Sequence, residues 1–316
     1  MILQVVLLIV GFVILIKGAD IFVDGASGVA RNFKVSKMLI GLTIVAFGTS
    51  APEFAVSVKS LLSGSGDIVF GNVIGSNILN ILLILGVAAC CHTLTVKNNT
   101  VKKELPITLL MTTLLAVLLS DHLFDRKLTN AFTRSDGVVL LLFFLVFIYY
   151  LISMMRNRVS NEEEEKVMAL PKAFGFTIVG IISIVLGSNF VVDAASHLAS
   201  AIGISERMIS LTIIALGTSL PELVTSVMAT RKGEYDIAIG NVVGSNIFNI
   251  GMVIGLPVSL FGGVGQLTFN FVDLIVMIIA ALLLFLFSWR DYKISKREGI
   301  IFLVIFFIYY SYVIFV

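Results

Sequence analysis

The chain contains two pairs of closely similar segments, and the members of each pair lie 169 residues apart. The segment IGLTIVAFGTSAPE at 40–53 matches ISLTIIALGTSLPE at 209–222 in ten of fourteen positions. The segment DIVFGNVIGSNILNILLILG at 67–86 matches DIAIGNVVGSNIFNIGMVIG at 236–255 in twelve of twenty. Most of the matched residues are Gly, Thr, Ser, Asn, Pro, Asp or Glu, and shared apolar composition cannot produce such matches. The sequence therefore predicts two related halves.

The remainder of the chain is strongly apolar. It is 58% hydrophobic and only 13% charged, whereas soluble domains carry about 25% charged residues. Ten apolar segments approach the ~20 residues that a helix needs to cross a bilayer. They lie at about 2–24, 38–61, 68–91, 105–122, 136–155, 173–199, 208–230, 237–261, 267–288 and 299–316. We therefore predict an all-α integral membrane protein with ten transmembrane helices.

Each half holds five segments, and this odd number means that the second half enters the membrane from the opposite face. We predict a first five-helix repeat at 1–155, a cytoplasmic linker at 156–172 and a second, inverted five-helix repeat at 173–316. Inverted repeats are an architecture of secondary transporters, whose substrate site lies near the bilayer midplane where the halves meet.

The distribution of Lys and Arg predicts the orientation. Sixteen of them lie in one set of alternate connections and five in the other set. Because cytoplasmic loops carry the excess of Lys and Arg, we predict a multi-pass protein of the cell (inner) membrane with both termini extracytoplasmic. The net charge of +2 gives no indication of a nucleic-acid partner.

The second span of each half is interrupted by a proline followed by a glutamate, Pro52–Glu53 and Pro221–Glu222. Proline lacks the N–H, and its ring clashes with the carbonyl group four residues earlier, which is that of Gly48 in the first half. We predict broken helices in spans 2, 3, 7 and 8, which form the core. Carbonyl oxygens released at 46–49 and 215–218 would suit a hard cation.

The polar side chains near these breaks all offer oxygen. In the first half Thr49 and Ser50 lie four and three residues before Glu53, the spacing of neighbours on a helix. Asn72, Ser76 and Asn80 follow one another every four residues and form a polar stripe along the next span. The second half repeats them as Thr218, Ser219, Glu222, Asn241, Ser245 and Asn249. Ligation by oxygen alone suits Na⁺, Ca²⁺ or Mg²⁺ and argues against zinc or copper.

The two glutamates carry the strongest functional signal. A carboxylate at mid-membrane costs ~2.5–3.5 kcal/mol on insertion scales and is a functional candidate by default. Two facing carboxylates cannot both stay ionised without a counter-charge. The site should therefore hold a divalent ion, several monovalent ions or protons, and mutually exclusive occupancy by these ions is a physical basis of exchange.

Other polar and small residues have simpler interpretations. Small residues often mediate helix packing in membranes, and packing and site-shaping remain equally open for Gly71, Gly75, Gly240 and Gly244. Hydrogen bonding between helices is the expected role of Ser57, Ser226, Asn77 and Asn246. The adjacent Cys90 and Cys91 indicate neither a disulfide framework nor a zinc site. Without an HExxH, a GxSxG or a mid-span Asp pair, we expect neither an enzyme nor a cofactor.

With GTSAPE and GTSLPE, and GNVIGSNILN and GNVVGSNIFN, the chain resembles the cation/calcium exchanger superfamily, and most closely its prokaryotic Na⁺/Ca²⁺ exchanger branch. The resemblance covers essentially the whole chain. It implies an antiporter whose site binds one Ca²⁺ or about three Na⁺ alternately, and we expect the protein to be a monomer. It also implies that the first and sixth spans slide across the other eight helices to alternate access.

The resemblance further implies the role of each ligand. Glu53 and Glu222 would be the central ligands, with hydroxyl and carbonyl groups of Thr49 and Thr218 beside them. The remaining ligands would be Ser50, Ser219, Ser76, Ser245, Asn80 and Asn249, with the carbonyl groups of Ala46 and Ala215.

Three alternatives stay open. Several members of the superfamily, including potassium-dependent ones, carry an acid where this chain has Asn249, so co-transport of K⁺ is disfavoured. An antiporter of H⁺ for Ca²⁺ or another divalent cation would use the same glutamates, although the hydroxyl groups favour Na⁺. A passive cation channel or an ion sensor is the third alternative.

Overall fold

The computed structural model describes residues 2–124, 130–156, 168–203, 215–267 and 270–315 of the chain. Helices make up most of the described residues. They are α1 (Ile2–Phe33), α2 (Lys37–Thr49), α3 (Ala51–Leu62), α4 (Gly66–Cys91), α5 (Leu105–Leu118), α6 (Asp121–Phe124), α7 (Arg134–Arg156), α8 (Leu170–Ala201), α9 (Ala215–Thr218), α10 (Leu220–Arg231), α11 (Tyr235–Phe261), α12 (Phe271–Asp291) and α13 (Lys296–Phe315). The strands are β1 (Leu94–Thr95), β2 (Asn130–Phe132), β3 (Val264–Leu267) and β4 (Lys293–Ile294).

The helices confirm a multi-pass membrane protein. Seven of those described are long and apolar enough to cross a membrane, and α2 with α3 forms an eighth candidate as one bent span. The fourth predicted segment, 105–122, contains α5, and a π-helical turn, Thr100–Glu104, extends this helix at its start. The start of the seventh segment falls within 204–214, outside the described residues, and α9 and α10 form the rest of it. The architecture is thus consistent with ten helices.

Two small antiparallel ladders join the halves. β1 pairs with β4, and β2 pairs with β3. Each half contributes one strand to each ladder. The two paired strands lie in connections that the inverted topology places on the same side of the membrane. The ion pair between Lys37 and Glu234, with 3.0 Å between Nζ and Oε2, also joins two connections of one side. These contacts support the alternation of spans on which the inverted repeat depends.

The centre of the protein is formed by α4 and α11. Their most apolar windows are 78% and 94% buried, whereas those of α1 and α8 are only 22% and 33% buried. The continuous hydrophobic core includes α4 and α11 together with residues of α5, α7, α12 and α13. Because this core draws on both halves, neither half buries its apolar face by itself. The boundaries predicted for the two repeats remain a prediction, and most of the linker lies outside the described residues.

The first and sixth spans, α1 and α8, pair with each other along their length at the edge of this core. Glycines let them approach closely: a Cβ added at Gly18 would lie 2.7 Å from Cβ of Ser183. Beyond this pairing, α1 contacts the end of α10, where Nζ of Lys232 lies 2.7 Å from a carboxylate oxygen of Asp20 and 2.6 Å from one of Asp24. The pair is therefore a peripheral unit.

Candidate cation-binding site

The helix break of the first half lies at Ser50, between α2 and α3. The two helices are bent by 46°, and Ser219 occupies the same position between α9 and α10. Pro52 lies in the first turn of α3, where a missing N–H costs nothing because that donor has no helical partner anyway. The proline therefore begins a helix after the bend.

The carbonyl groups near the two prolines differ in their hydrogen bonds, and release of the Gly48 carbonyl group by Pro52 stays a prediction. The carbonyl oxygen of Ala46 accepts the N–H of Ser50 at 3.0 Å. The carbonyl oxygen of Gly217 accepts the hydroxyl group of Ser188, on α8, at 2.9 Å. Both groups keep a second lone pair that a cation could use. Ala215, the other predicted carbonyl ligand, is the first residue of α9.

Spans 3 and 8 differ from the prediction, because α4 and α11 are continuous helices rather than broken ones. Each changes from α- to π-helical hydrogen bonding at the equivalent place, Leu79–Leu85 in α4 and Asn249–Ile254 in α11. π-Helical turns inside α-helices are frequent at functional sites. The irregularity that the repeat predicts is therefore a change of helical pitch, and Asn80 and Asn249 lie within it.

The structure brings the two predicted carboxylates together in the interior. Glu53 lies in the first turn of α3 and Glu222 in the first turn of α10, and each is 1% exposed. Oε1 of Glu222 accepts the hydroxyl group of Ser50 at 3.0 Å and that of Ser245 at 3.5 Å. Its Oε2, and both carboxylate oxygens of Glu53, have no hydrogen-bond donor among the described residues.

The other predicted hydroxyl groups lie around these carboxylates. Ser219 donates to Oγ of Ser76 at 3.3 Å, across the two halves. Thr218, the last residue of α9, directly precedes the break at Ser219. The hydroxyl group of Thr49 donates to Oδ1 of Asn241 at 3.0 Å. Each half thus supplies hydroxyl groups to the partner half.

Asn80 and Asn249 complete the set, and both are 1% exposed. The Nδ2 of Asn80 donates to Oδ1 of Asn246 at 2.9 Å, and the Nδ2 of Asn249 donates to Oδ1 of Asn77 at 3.0 Å. The side-chain oxygens of Asn80 and Asn249 are buried without a donor among the described residues.

The pattern of unpaired atoms fits a cation. Buried polar atoms are normally hydrogen-bonded. Yet five side-chain oxygens of the two glutamates and two asparagines at the site have no donor in the described part of the chain: Glu53 Oε1, Glu53 Oε2, Glu222 Oε2, Asn80 Oδ1 and Asn249 Oδ1. All five are acceptors of the hard type that Na⁺ and Ca²⁺ prefer. Within the described residues no three His, Cys, Asp or Glu side chains cluster in a metal-binding arrangement. The candidate site therefore combines two charges with neutral oxygens.

Two further asparagines stabilise the breaks in a way that the sequence did not reveal. Nδ2 of Asn72 donates to the backbone carbonyl group of Glu53 at 3.3 Å, and Nδ2 of Asn241 donates to that of Glu222 at 3.4 Å. Asn241 also donates to Ser226 at 2.9 Å. The recurrence of polar residues every four positions predicted that these asparagines lie on the same helix face as the site residues. Their contacts with α3 and α10 depend on how the helices pack.

Glycines of the repeated GNVxG segment are not equivalent in the two halves. A Cβ at Gly240 would lie 2.9 Å from the carbonyl oxygen of Met38, and one at Gly244 would lie 2.7 Å from Cβ of Ala46. These two glycines therefore permit close packing of α11 against α2. A Cβ at Gly71 or Gly75 would meet no atom of a described residue.

Two other acidic residues of the spans, one buried and one half-buried, have partners of their own. Glu104 is fully buried and accepts the hydroxyl group of Tyr150, so the two central glutamates are not the only acids within the helices. Asp273, its counterpart in the repeat, accepts the hydroxyl group of Tyr309 at 2.9 Å. Both have a tyrosine partner on the neighbouring span, which is the arrangement of a structural contact.

Known proteins are similar to this chain in sequence and in architecture. The sodium/calcium exchanger MaX1 of Methanosarcina acetivorans is 35% identical over 331 aligned positions, which cover 93% of this chain and 94% of the relative. The inner membrane protein YrbG of Escherichia coli is 38% identical over 301 positions, covering 92% and 90%. A structure of the sodium-calcium exchanger NCX_Mj, soaked with 10 mM Na⁺ and zero Ca²⁺, matches with a TM-score of 0.84 at 34% identity over 97% of both chains. A sequence model described as sodium/calcium exchanger protein matches residues 3–153 and 172–315. The chain therefore belongs to the sodium/calcium exchanger protein family.

Proposed function

We propose that the protein is a secondary active antiporter that exchanges Ca²⁺ for Na⁺ by alternating access. Membership of the family already sets it among transporters rather than enzymes. The observation that carries the proposal is the group of five buried oxygens without donors, contributed by Glu53 and Asn80 from one half and by Glu222 and Asn249 from the other. A site built equally by inverted halves is one that both sides of the membrane can reach in turn.

Charge explains why the two ions compete. The two glutamates give the site two negative charges, which one Ca²⁺ neutralises. Several Na⁺ ions can satisfy the same oxygens but cannot share them with Ca²⁺. Removal of either ion leaves two adjacent carboxylates in a medium of low dielectric, where their repulsion is strong. An empty site is therefore costly, and this cost couples release of one ion to binding of the other.

The pairing of α1 with α8 supports movement of these two helices as a unit. They contact each other more extensively than any other two described elements, and they lie outside the central core. Glycines lie where this pair contacts the broken helices: Gly48 lies beside Ile181 and Gly217 beside Val192. Because glycine has no side chain, the two surfaces meet there without interlocking side chains. We propose that sliding of this pair across α2, α3, α9 and α10 opens the site to one side at a time.

The hydroxyl groups favour Na⁺ over H⁺ as the counter-ion. Ser50 and Ser245 point their hydroxyl groups at Glu222, and each could turn its oxygen towards Na⁺ when the ion binds. A proton needs no coordination shell of oxygen atoms. Asn249, which is neutral, adds no third charge for K⁺. We further propose an inner-membrane location with both termini extracytoplasmic and function as a monomer, in line with the Lys and Arg distribution.

The test measures Ca²⁺ uptake driven by a Na⁺ gradient in proteoliposomes. Glu53→Gln and Glu222→Gln should each reduce uptake to background, because an amide removes one of the two charges that Ca²⁺ requires. Glu104→Gln is the matched control, since Glu104 is a buried carboxyl group whose tyrosine partner can donate to glutamine as well. Persistent uptake by either central variant at the wild-type rate would refute the proposal.

The same vesicles separate the alternatives. Uptake driven by a pH gradient without Na⁺ would show H⁺ coupling, and a requirement for K⁺ would show co-transport. Conductance far above the rate of an alternating cycle, without a counter-ion, would show a channel. We expect uptake with a Na⁺ gradient alone.

A further inference from the structure

Asn77 and Asn246, which the 169-residue repeat makes equivalent, contact each other between the two halves. Both are 1% exposed. Nδ2 of Asn77 donates to the backbone carbonyl group of Asn246 at 3.3 Å, and Nδ2 of Asn246 donates to the backbone carbonyl group of Asn77 at 3.5 Å. A carbonyl oxygen only accepts hydrogen bonds, so each of these amides must direct its NH₂ group towards the partner backbone.

This arrangement determines where the remaining amide atoms point. With their NH₂ groups engaged, Asn77 and Asn246 direct Oδ1 the other way. Oδ1 of Asn246 accepts from Nδ2 of Asn80, and Oδ1 of Asn77 accepts from Nδ2 of Asn249. The NH₂ group of each candidate ligand is thereby held by the opposite half.

The consequence concerns the sign of the dipole that meets the cation. An asparagine can turn about its last bond and present either its oxygen or its NH₂ group at nearly the same position. Only the oxygen attracts a cation, and the NH₂ group repels it. In the structure the oxygens of Asn80 and Asn249 belong to the set without donors that also includes the glutamate oxygens.

We propose that Asn77 and Asn246 are positioning residues that hold the amides of Asn80 and Asn249 with oxygen towards the cation, each acting across the interface between the halves. The inference rests on the proposed function, because it assumes that a cation binds at these oxygens. It assigns a role in ion affinity to two residues for which the sequence suggests only bonding between helices. It also means that neither half presents a correctly oriented amide without the other.

Double-mutant cycles test this assignment, because residues that act through one another show non-additive effects. The measurement is equilibrium Ca²⁺ binding to purified full-length protein. Asn246→Ala, Asn77→Ala, Asn80→Ala and Asn249→Ala should each weaken binding by about tenfold, the scale of one lost hydrogen bond to a charged group. Asn246→Ala should add little to Asn80→Ala, and Asn77→Ala should add little to Asn249→Ala, since the oriented amide is already gone.

The chain supplies a matched control in the same four residues. The pairs within one half, Asn77 with Asn80 and Asn246 with Asn249, should give effects that multiply. Multiplying effects in all four pairs, or equal coupling in all four, would overturn the proposal in favour of a general structural role. If an alanine variant does not fold, serine replaces it in the whole cycle, because it keeps a polar atom too short to reach the partner amide.

Wild-type protein distinguishes failure of this inference from failure of the proposed function. If the wild type binds neither Ca²⁺ nor Na⁺, the cation site itself is refuted. If the wild type binds Ca²⁺ but single substitution of Asn77 or Asn246 leaves its affinity unchanged, only the positioning role is refuted.

Discussion

At the scale of single residues, the two carboxylates of the site are placed differently despite the repeat. Glu222 receives the hydroxyl groups of Ser50 and Ser245 on one oxygen, whereas neither oxygen of Glu53 has a donor among the described residues. Glu222 is therefore the carboxylate that two hydroxyl groups, one from each half, hold in place.

Ser50→Ala tests this difference. It leaves Oε1 of Glu222 with the longer bond from Ser245 alone and removes an oxygen that we assign to Na⁺. We expect the Na⁺ concentration for half-maximal exchange to rise about fivefold, the equivalent of ~1 kcal/mol for one hydrogen bond. The measurement is Ca²⁺ uptake at graded Na⁺ gradients in proteoliposomes. Ser63→Ala is the control, because the Ser63 hydroxyl group donates to the carbonyl group of Ser60 at the end of α3. An unchanged Na⁺ dependence in Ser50→Ala would contradict the assignment.

The residue types at the site could be predicted from the sequence, but their pairing could not. The repeat singled out Glu53, Ser50 and Asn80 because polar residues are rare in apolar spans. Ser50, however, donates to Glu222, which is 172 positions away. A contact over that separation depends on how the halves pack, and no local spacing encodes it. For the same reason the bonds that Asn72 and Asn241 make to α3 and α10 were missed.

At the scale of elements, the bend between α2 and α3 directs the start of α3, and with it Glu53, into the interior. Pro52 supports the bend because its ring cannot fit a straight helix that passes through Ser50. It is otherwise well placed, since the first turn of a helix tolerates proline. The sequence predicted the position of this break correctly. It gave no sign of the π-helical turns in α4 and α11, because the pitch of a helix interior is set by packing.

Pro52→Ala should straighten the junction of α2 and α3 by allowing the N–H of residue 52 to bond backwards along the helix. We expect the exchange rate to fall about tenfold or more while the protein remains folded, because a displacement of the carboxylate by 1 Å is enough to weaken ion binding. Pro106→Ala is the matched control, since Pro106 also lies in the first turn of its helix, α5, but away from the site. Rates are measured in proteoliposomes and folding by thermal unfolding in detergent. Equal rates for Pro52→Ala and wild type would show that the bend does not need the proline.

At the scale of the whole molecule, the halves are joined by much more than the connection between them. The hydrophobic core includes residues of both halves. The two ladders, β1 with β4 and β2 with β3, each pair a strand of one half with a strand of the other. The hydrogen bonds among the asparagines also join the two halves at the centre. The inverted arrangement could be predicted from the odd number of spans in each repeat. The ladders could not, because strands of two to four residues carry too little pattern to recognise.

Cleavage of the linker tests whether these contacts suffice. We insert a protease recognition site between Ser160 and Asn161 and cleave the purified protein before reconstitution. The two fragments should remain associated, elute together and retain Ca²⁺ exchange at close to the uncut rate. Uncut protein with the same insertion is the control. Separation of the fragments, or loss of exchange on cleavage alone, would show that the halves depend on their covalent connection.

The hydrogen bond from Ser188 to the Gly217 carbonyl group has a consequence for the proposed transport cycle. The repeat-equivalent of Ser188 is Ala19, which has no hydroxyl group to offer Gly48. In the proposed sliding of α1 and α8, this hydrogen bond would have to break on one side of the ion site and would have no equivalent on the other. The two open states of the proposed cycle would then differ in free energy, and the same ion would meet a different apparent affinity at the two faces of the membrane.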